Sequence, residues 1–137
     1  MKAMKIARLT AICTLIFLGV TAIIGAVPLI LNPQGDRTYI PLSLLEHSPF
    51  HSFLIPGIIL LLANGVLSFV VLNQAVRRRN GYGWWIAFQG CVLSGWIVAE
   101  VIMFCMVAWL HFLYIAVGIV LIASGLALAR DQRAARG

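Results

Sequence analysis

Of the four acidic residues in this chain, only Glu100 falls inside a long apolar run. A carboxyl group at the centre of a membrane-spanning helix costs about 2.5 to 3.5 kcal/mol on insertion scales, so it is found with partners or with a task. Helical periodicity places Gln89, Trp96, Phe104 and Val107 on the same face as Glu100. Helical rise puts Glu100 about 7 Å outward of the middle of its apolar run. Asn64, near the middle of the preceding apolar run, is its expected cross-helix partner. Two chemistries fit this set. In one, a protonated Glu100 hydrogen-bonds Asn64 or a backbone carbonyl and acts as glue between helices. In the other, Glu100 is a proton- or cation-binding carboxylate in a polar cavity. The candidate ligand- or proton-binding residues are therefore Glu100, Asn64, Gln89 and Trp96.

A second constellation consists of His47, His51 and His111, with Glu46, Met103, Cys105 and Met106 expected at the same membrane face. Imidazole and sulfur together suit copper, and imidazole with carboxylate suits zinc. His47 and His51 have the spacing of two ligands on one helical turn, but Pro49 and the helix start expected at Ser48 fall between them. Interfacial histidines and gap-filling methionines account for the same residues, so no metal and no cofactor is expected. Cys13, Cys91 and Cys105 form no CxxC pair and read as small apolar fillers. No phosphate loop, GxGxxG element or HExxH pair occurs.

The elements that must carry these residues follow from composition. Across 137 residues the hydrophobic fraction is 62% and the charged fraction 10%, outside the range of soluble domains. A soluble fold of this size would leave apolar patches far larger than the few hundred Å² that water tolerates. The apolar residues form four blocks of about the 20 residues that a hydrocarbon core requires. They cover about residues 9–31, 49–73 (or 53–73), 84–107 and 110–129. The stretch from Trp84 to Ala129 would be roughly 69 Å long as one helix, so it must reverse, and Trp109 and His111 mark the expected turn. The fold class is thus all-α, one transmembrane domain of four helices. The first block exceeds the 7 to 15 residues of a signal-peptide core, and Ile12 before Cys13 spoils a lipoprotein cleavage site, so it is expected to remain as a helix.

Basic residues set the expected orientation. Nine of the ten lie before the first block, between the second and third, or after the fourth: Lys2, Lys5, Arg8, Arg77, Arg78, Arg79, Arg130, Arg133 and Arg136. Arg37 is the exception. Lys and Arg accumulate on cytoplasmic loops, so both termini are expected inside and residues 32–48 outside. The net charge of +6 then reflects topology and contact with anionic lipid rather than nucleic-acid binding.

The outer loop opens with Asn32-Pro33-Gln34-Gly35-Asp36, a cluster of turn formers. Ser43 and Glu46 follow as a capping box, with Ile40, Leu42, Leu44 and Leu45 suggesting a short surface helix. Ser48 and Pro49 read as the cap and first position of the second span, and Pro56 as a kink two turns later. Tyr82, Trp84 and Trp85 read as an aromatic anchor at the opposite interface. Stripes of small residues, Gly57, Asn64, Gly65 and Ser68 in the second span and Gly118 and Gly125 in the fourth, are expected at helix contacts.

Ser48-Pro49-Phe50, Phe53-Leu54-Ile55-Pro56-Gly57 and Gly95-Trp96-Ile97 with Glu100 resemble segments of small four-span bacterial integral membrane proteins with no assigned function. The resemblance implies a bacterial cytoplasmic membrane and four spans, and it brings no catalytic residue or ligand.

Three functional classes remain. The first is a non-enzymatic binding or accessory protein for a lipid-like ligand or a partner membrane protein, because a single buried carboxylate leaves most enzyme mechanisms without a second group. The second is a homo-oligomeric transporter or channel coupled through Glu100. The third is a quinone- or haem-linked redox protein. Membrane lipids, copies of itself or a larger membrane complex are the expected partners.

Overall fold

The computed structural model describes residues 2–31, 49, 52–104 and 109–136. Four helices account for nearly all of them: α1 (Lys2–Leu31), α2 (Leu54–Val76), α3 (Tyr82–Phe104) and α4 (Trp109–Arg136). Each is long and apolar enough to cross a membrane. In hydrocarbon every backbone N–H and C=O must be satisfied within its own segment, and a helix does this.

The chain runs up and down. Each helix packs on its sequence neighbours, and α1 also packs on α4 to close the ring. Leu15 and Leu18 of α1, Val71 of α2, Ile86, Leu93 and Ile97 of α3, and Leu121 and Leu128 of α4 meet along the bundle axis. Outside this core, Ile24, Ile102 and Ile119 belong to a belt of exposed aliphatic and aromatic side chains. Such a surface is stable against lipid and not against water, and the protein is a multi-pass membrane protein.

The α3–α4 contact is the most extensive, and its cause is steric. Gly83, Ala87, Gly90 and Ser94 face Ala129, Gly125, Ile122 and Gly118 in antiparallel register. A Cβ on Gly90 would lie 2.8 Å from the Gly118 carbonyl oxygen, and one on Gly83 or Gly125 would overlap backbone atoms of the facing helix. Without Cβ atoms the two backbones approach closely, the usual source of helix attraction in lipid.

One end of the bundle carries both termini and the α2–α3 turn. There the Arg8 guanidinium donates to the carbonyl oxygens of Ala75 (3.0 Å) and Val76 (3.2 Å), the last residues of α2. The Ala75 carbonyl also accepts the Arg78 N–H at 3.3 Å, and a cation is favoured at a helix C-terminus, where the last carbonyls lack helical partners. At the same end the Gln132 Oε1 accepts the Gly83 N–H at 3.1 Å. Lys2, Lys5, Arg8, Arg77 to Arg79, Arg130 and Arg133 therefore share one end of the molecule. The α2–α3 turn passes through the left-handed region at Arg78 (φ 51°) and Gly81 (φ 78°).

Several boundaries differ from the sequence reading. The helical part of α2 begins at Leu54, beside the later of the two expected starts, and Pro49 is an exposed bend. Pro56 consequently falls in the first turn, where a missing N–H costs no helical bond, and does not act as a mid-helix kink. Tyr82 is buried in the core, while Trp84 and Trp85 are exposed. The basic ends of α1 and α4 are helical to Lys2 and Arg136, well beyond the apolar blocks. The Asn32 to Asp36 turn, the surface helix expected around Ile40 to Glu46 and the Ser48 cap lie outside the described residues.

Candidate functional site

Within α2, residues Leu61–Val66 form a π-helical segment, in which the Leu67 N–H bonds the Leu62 carbonyl five residues back. A π-bulge adds a residue to the turn and is frequent at functional positions. Here it presents Asn64 and Gly65, consecutive residues, both to the interior. Side chains bond the carbonyls of this turn: Ser68 Oγ donates to the Asn64 oxygen at 2.6 Å and Gln89 Nε2 to the Ala63 oxygen at 3.1 Å.

Gln89 Nε2 also lies 3.5 Å from Asn64 Oδ1. Asn64 and Gln89 are both 0% exposed. Turning either amide over would face an N–H₂ with an N–H₂ or an oxygen with an oxygen, so the contacts assign its orientation. Two buried atoms of the pair then have no partner among the described residues, the Asn64 Nδ2 donor and the Gln89 Oε1 acceptor. Buried polar groups are nearly always satisfied, and these two stand out for that reason.

Next to Asn64 opens a cavity of about 410 Å³. Leu18, Ala22, Gly25 and Leu29 line it from α1, at the spacing of one helical face. Leu60 and Asn64 line it from α2, with Phe53 and Pro56 beyond them, and Leu93, Trp96, Ile97, Glu100 and Met103 from α3. The start of α4 contributes Leu110, His111 and Tyr114. The lining is mainly hydrocarbon and aromatic, with a few polar atoms at set positions, and the volume lies within the roughly 300 to 1,000 Å³ of small-molecule sites. The small residues of the α3–α4 seam give way here to Trp96 and Tyr114, and the latter stacks on Phe17 of α1 at 6.3 Å.

Glu100 does not pair with Asn64. Its Oε2 lies 3.3 Å from His111 Nε2, and the side chains are 21% and 11% exposed. Trp96, one turn earlier on α3, is within hydrogen-bonding reach of the same carboxyl. The Glu100–His111 contact ties α3 to the first turns of α4 across residues 105–108. It also supplies the second group that the sequence reading found missing: Glu100 is half of an acid–imidazole pair. His111, expected near His47 and His51, lines the cavity. His47, His51, Glu46, Cys105 and Met106 lie outside the described residues, and among the described residues no three histidine, cysteine or acidic side chains gather as metal ligands.

The four candidates thus divide. Trp96, Glu100 and Asn64 line one cavity, whereas Gln89 braces Asn64 from behind and is not part of the lining. The sequence reading missed His111 as the partner of Glu100 and Arg8 as the cap of α2. Comparison with family models, with curated proteins and with solved structures yields no match to this chain.

Proposed function

We propose that this protein is a non-enzymatic binding or accessory protein of a bacterial cytoplasmic membrane, with a small lipid-like molecule held in the cavity among the four helices. The observation that carries the proposal is a mainly apolar cavity of about 410 Å³ lined by residues of all four helices. An empty cavity of this size would forfeit the packing of its walls, and an apolar occupant restores it. Native mass spectrometry of the protein released gently from the expressing membrane tests this. A bound mass is expected, and it is expected to disappear in Gly25→Leu, whose side chain grows toward Leu60 into the cavity. A wild-type protein that emerges without any bound molecule overturns the reading.

The Glu100–His111 contact favours a second reading, a homo-oligomeric carrier coupled to protons through this pair. Its test is proton flux into proteoliposomes, expected in the wild type and lost in Glu100→Gln. Equal flux in both, or none in the wild type, rejects it.

A further inference from the structure

We infer that the ligand of this cavity is a lipophilic amine, bound as its ammonium ion with the charged head on the Glu100 carboxylate and the hydrocarbon directed toward Leu18 and Leu93. The inference rests on the binding reading above and names the chemistry of the ligand.

Access is the first ground. The Asn64–Gln89 pair is wholly enclosed, whereas Glu100 and His111 line the cavity with side chains 21% and 11% exposed. A carboxylate offers about four lone-pair positions. The contacts with His111 and Trp96 occupy two of them, and an ammonium head brings N–H donors for the others.

Charge is the second. The described lysines and arginines stand at the opposite end of the bundle, and Asp131 stands with them near the end of α4. Among the described lining residues Glu100 is therefore the one carboxyl and His111 the one basic group. A bound cation needs this pair with one negative charge, and a bound anion needs it with one positive charge. At pH 7 an ordinary carboxyl is ionised and an ordinary imidazole is mostly neutral, so the positive state requires two added protons and is disfavoured about a thousandfold. Burial penalises a lone carboxylate and a lone imidazolium alike, and so does not reverse the preference for a cation.

Position is the third. Glu100 lies four residues before the end of α3 at Phe104, about 6 Å by helical rise. A charged head held there stays near the end of the span and away from the costly midplane. Trp96 and Tyr114 line the cavity from α3 and α4 on either side of that head, and aromatic rings attract cations through their faces. Leu18 and Leu93 line the end nearer the membrane centre. Leu93 is about 10 Å from Glu100 along α3, a depth suited to an alkyl chain.

The test is native mass spectrometry of the full-length protein in mild detergent at neutral pH, with three probes of matched chain length: decylammonium, decanol and decanoate. Decylammonium should occupy the wild type at least about tenfold more than decanol, the effect of one hydrogen bond to a charged group, and decanoate should bind least. In Glu100→Gln the ammonium probe should lose that advantage while decanol still binds, which also shows that the variant is folded. The wild-type ranking tests the inference even if the variant fails to fold. Equal binding of decylammonium and decanol to the wild type, or preference for decanoate, overturns the inference and leaves the cavity a binding site. An ammonium advantage that survives in Glu100→Gln, or in the cavity-filling Gly25→Leu, places the cation elsewhere and also overturns it. Binding of no probe removes the ligand-binding reading as well.

Discussion

Glu100 and His111 stand 3.3 Å apart with little exposure, and glutamine and leucine at position 100 separate what the carboxyl does by shape from what it does by charge. Glutamine keeps an acceptor oxygen in reach of His111 and should leave thermal stability in detergent close to the wild type. Leucine removes that acceptor from a nearly buried imidazole and should cost about 1 to 3 kcal/mol. Thermal unfolding of the three proteins in one detergent checks this, and equal stability of the leucine variant would mean that the pair contributes nothing to holding α3 on α4. Arg8 offers a similar case at the other end of the molecule. Its guanidinium serves the last carbonyls of α2, so Arg8→Met, which keeps the apolar stem, should destabilise by about 1 to 2 kcal/mol. The same unfolding measurement reads it, and an unchanged midpoint would leave Arg8 with only its charge to contribute.

Glycines separate into those that set a helix contact and those that do not. Gly125 has the Gly83 oxygen 2.7 Å from where its Cβ would stand and the Ala87 backbone closer still, while Gly95 has nothing within 4 Å. Gly125→Ala should therefore force α3 and α4 apart and cost about 1 to 3 kcal/mol. Gly95→Ala should be neutral or stabilise by up to about 1 kcal/mol, since alanine loses less backbone freedom on folding. Opposite shifts of the unfolding midpoint are the expected result, and equal ones would contradict the seam. Elements of this kind were largely legible in the sequence, because the length of each apolar block and the small-residue stripes of α2 and α4 follow from simple periodicities. The pairing of Asn64 was not. A π-turn between Leu61 and Val66 has no compositional signature, and it shifts the phase of α2 so that Asn64 meets Gln89 instead of Glu100. The partner of Glu100 was equally hidden, because no Gly, Pro or Asn marks the α3–α4 reversal, and moving that turn by a few residues decides whether His111 caps the bundle or enters it. The start of α2 was open between Pro49 and Phe53 for a related reason: Ser48-Pro49 has the form of a helix start, yet Pro56 in a first turn fits a start near Phe53 too, and the structure uses the second.

For the molecule as a whole, the four-helix ring brings both termini and the α2–α3 turn to one end, so eight described lysines and arginines stand together there. The expected orientation follows from that asymmetry, for a basic end is retained on the cytoplasmic side. Single cysteines at Gln34 and at Asn80, introduced after replacing Cys13, Cys91 and Cys105, provide the test. In intact cells a membrane-impermeant thiol reagent should label position 34 and spare position 80, and permeabilisation should expose position 80. Cys13 and Cys91 are exposed on the protein surface, within spans where lipid covers them, so their replacement by alanine removes little packing. Labelling of position 80 alone in intact cells would invert the molecule. The cavity end of the bundle, with Glu100 and His111, would then open toward the cytoplasm, and a ligand entering from that side would come from the inner leaflet. Orientation therefore decides which leaflet supplies the occupant of the cavity. In the expected arrangement the Glu100–His111 end faces outward, so an incoming ligand descends from the outer leaflet into the cavity.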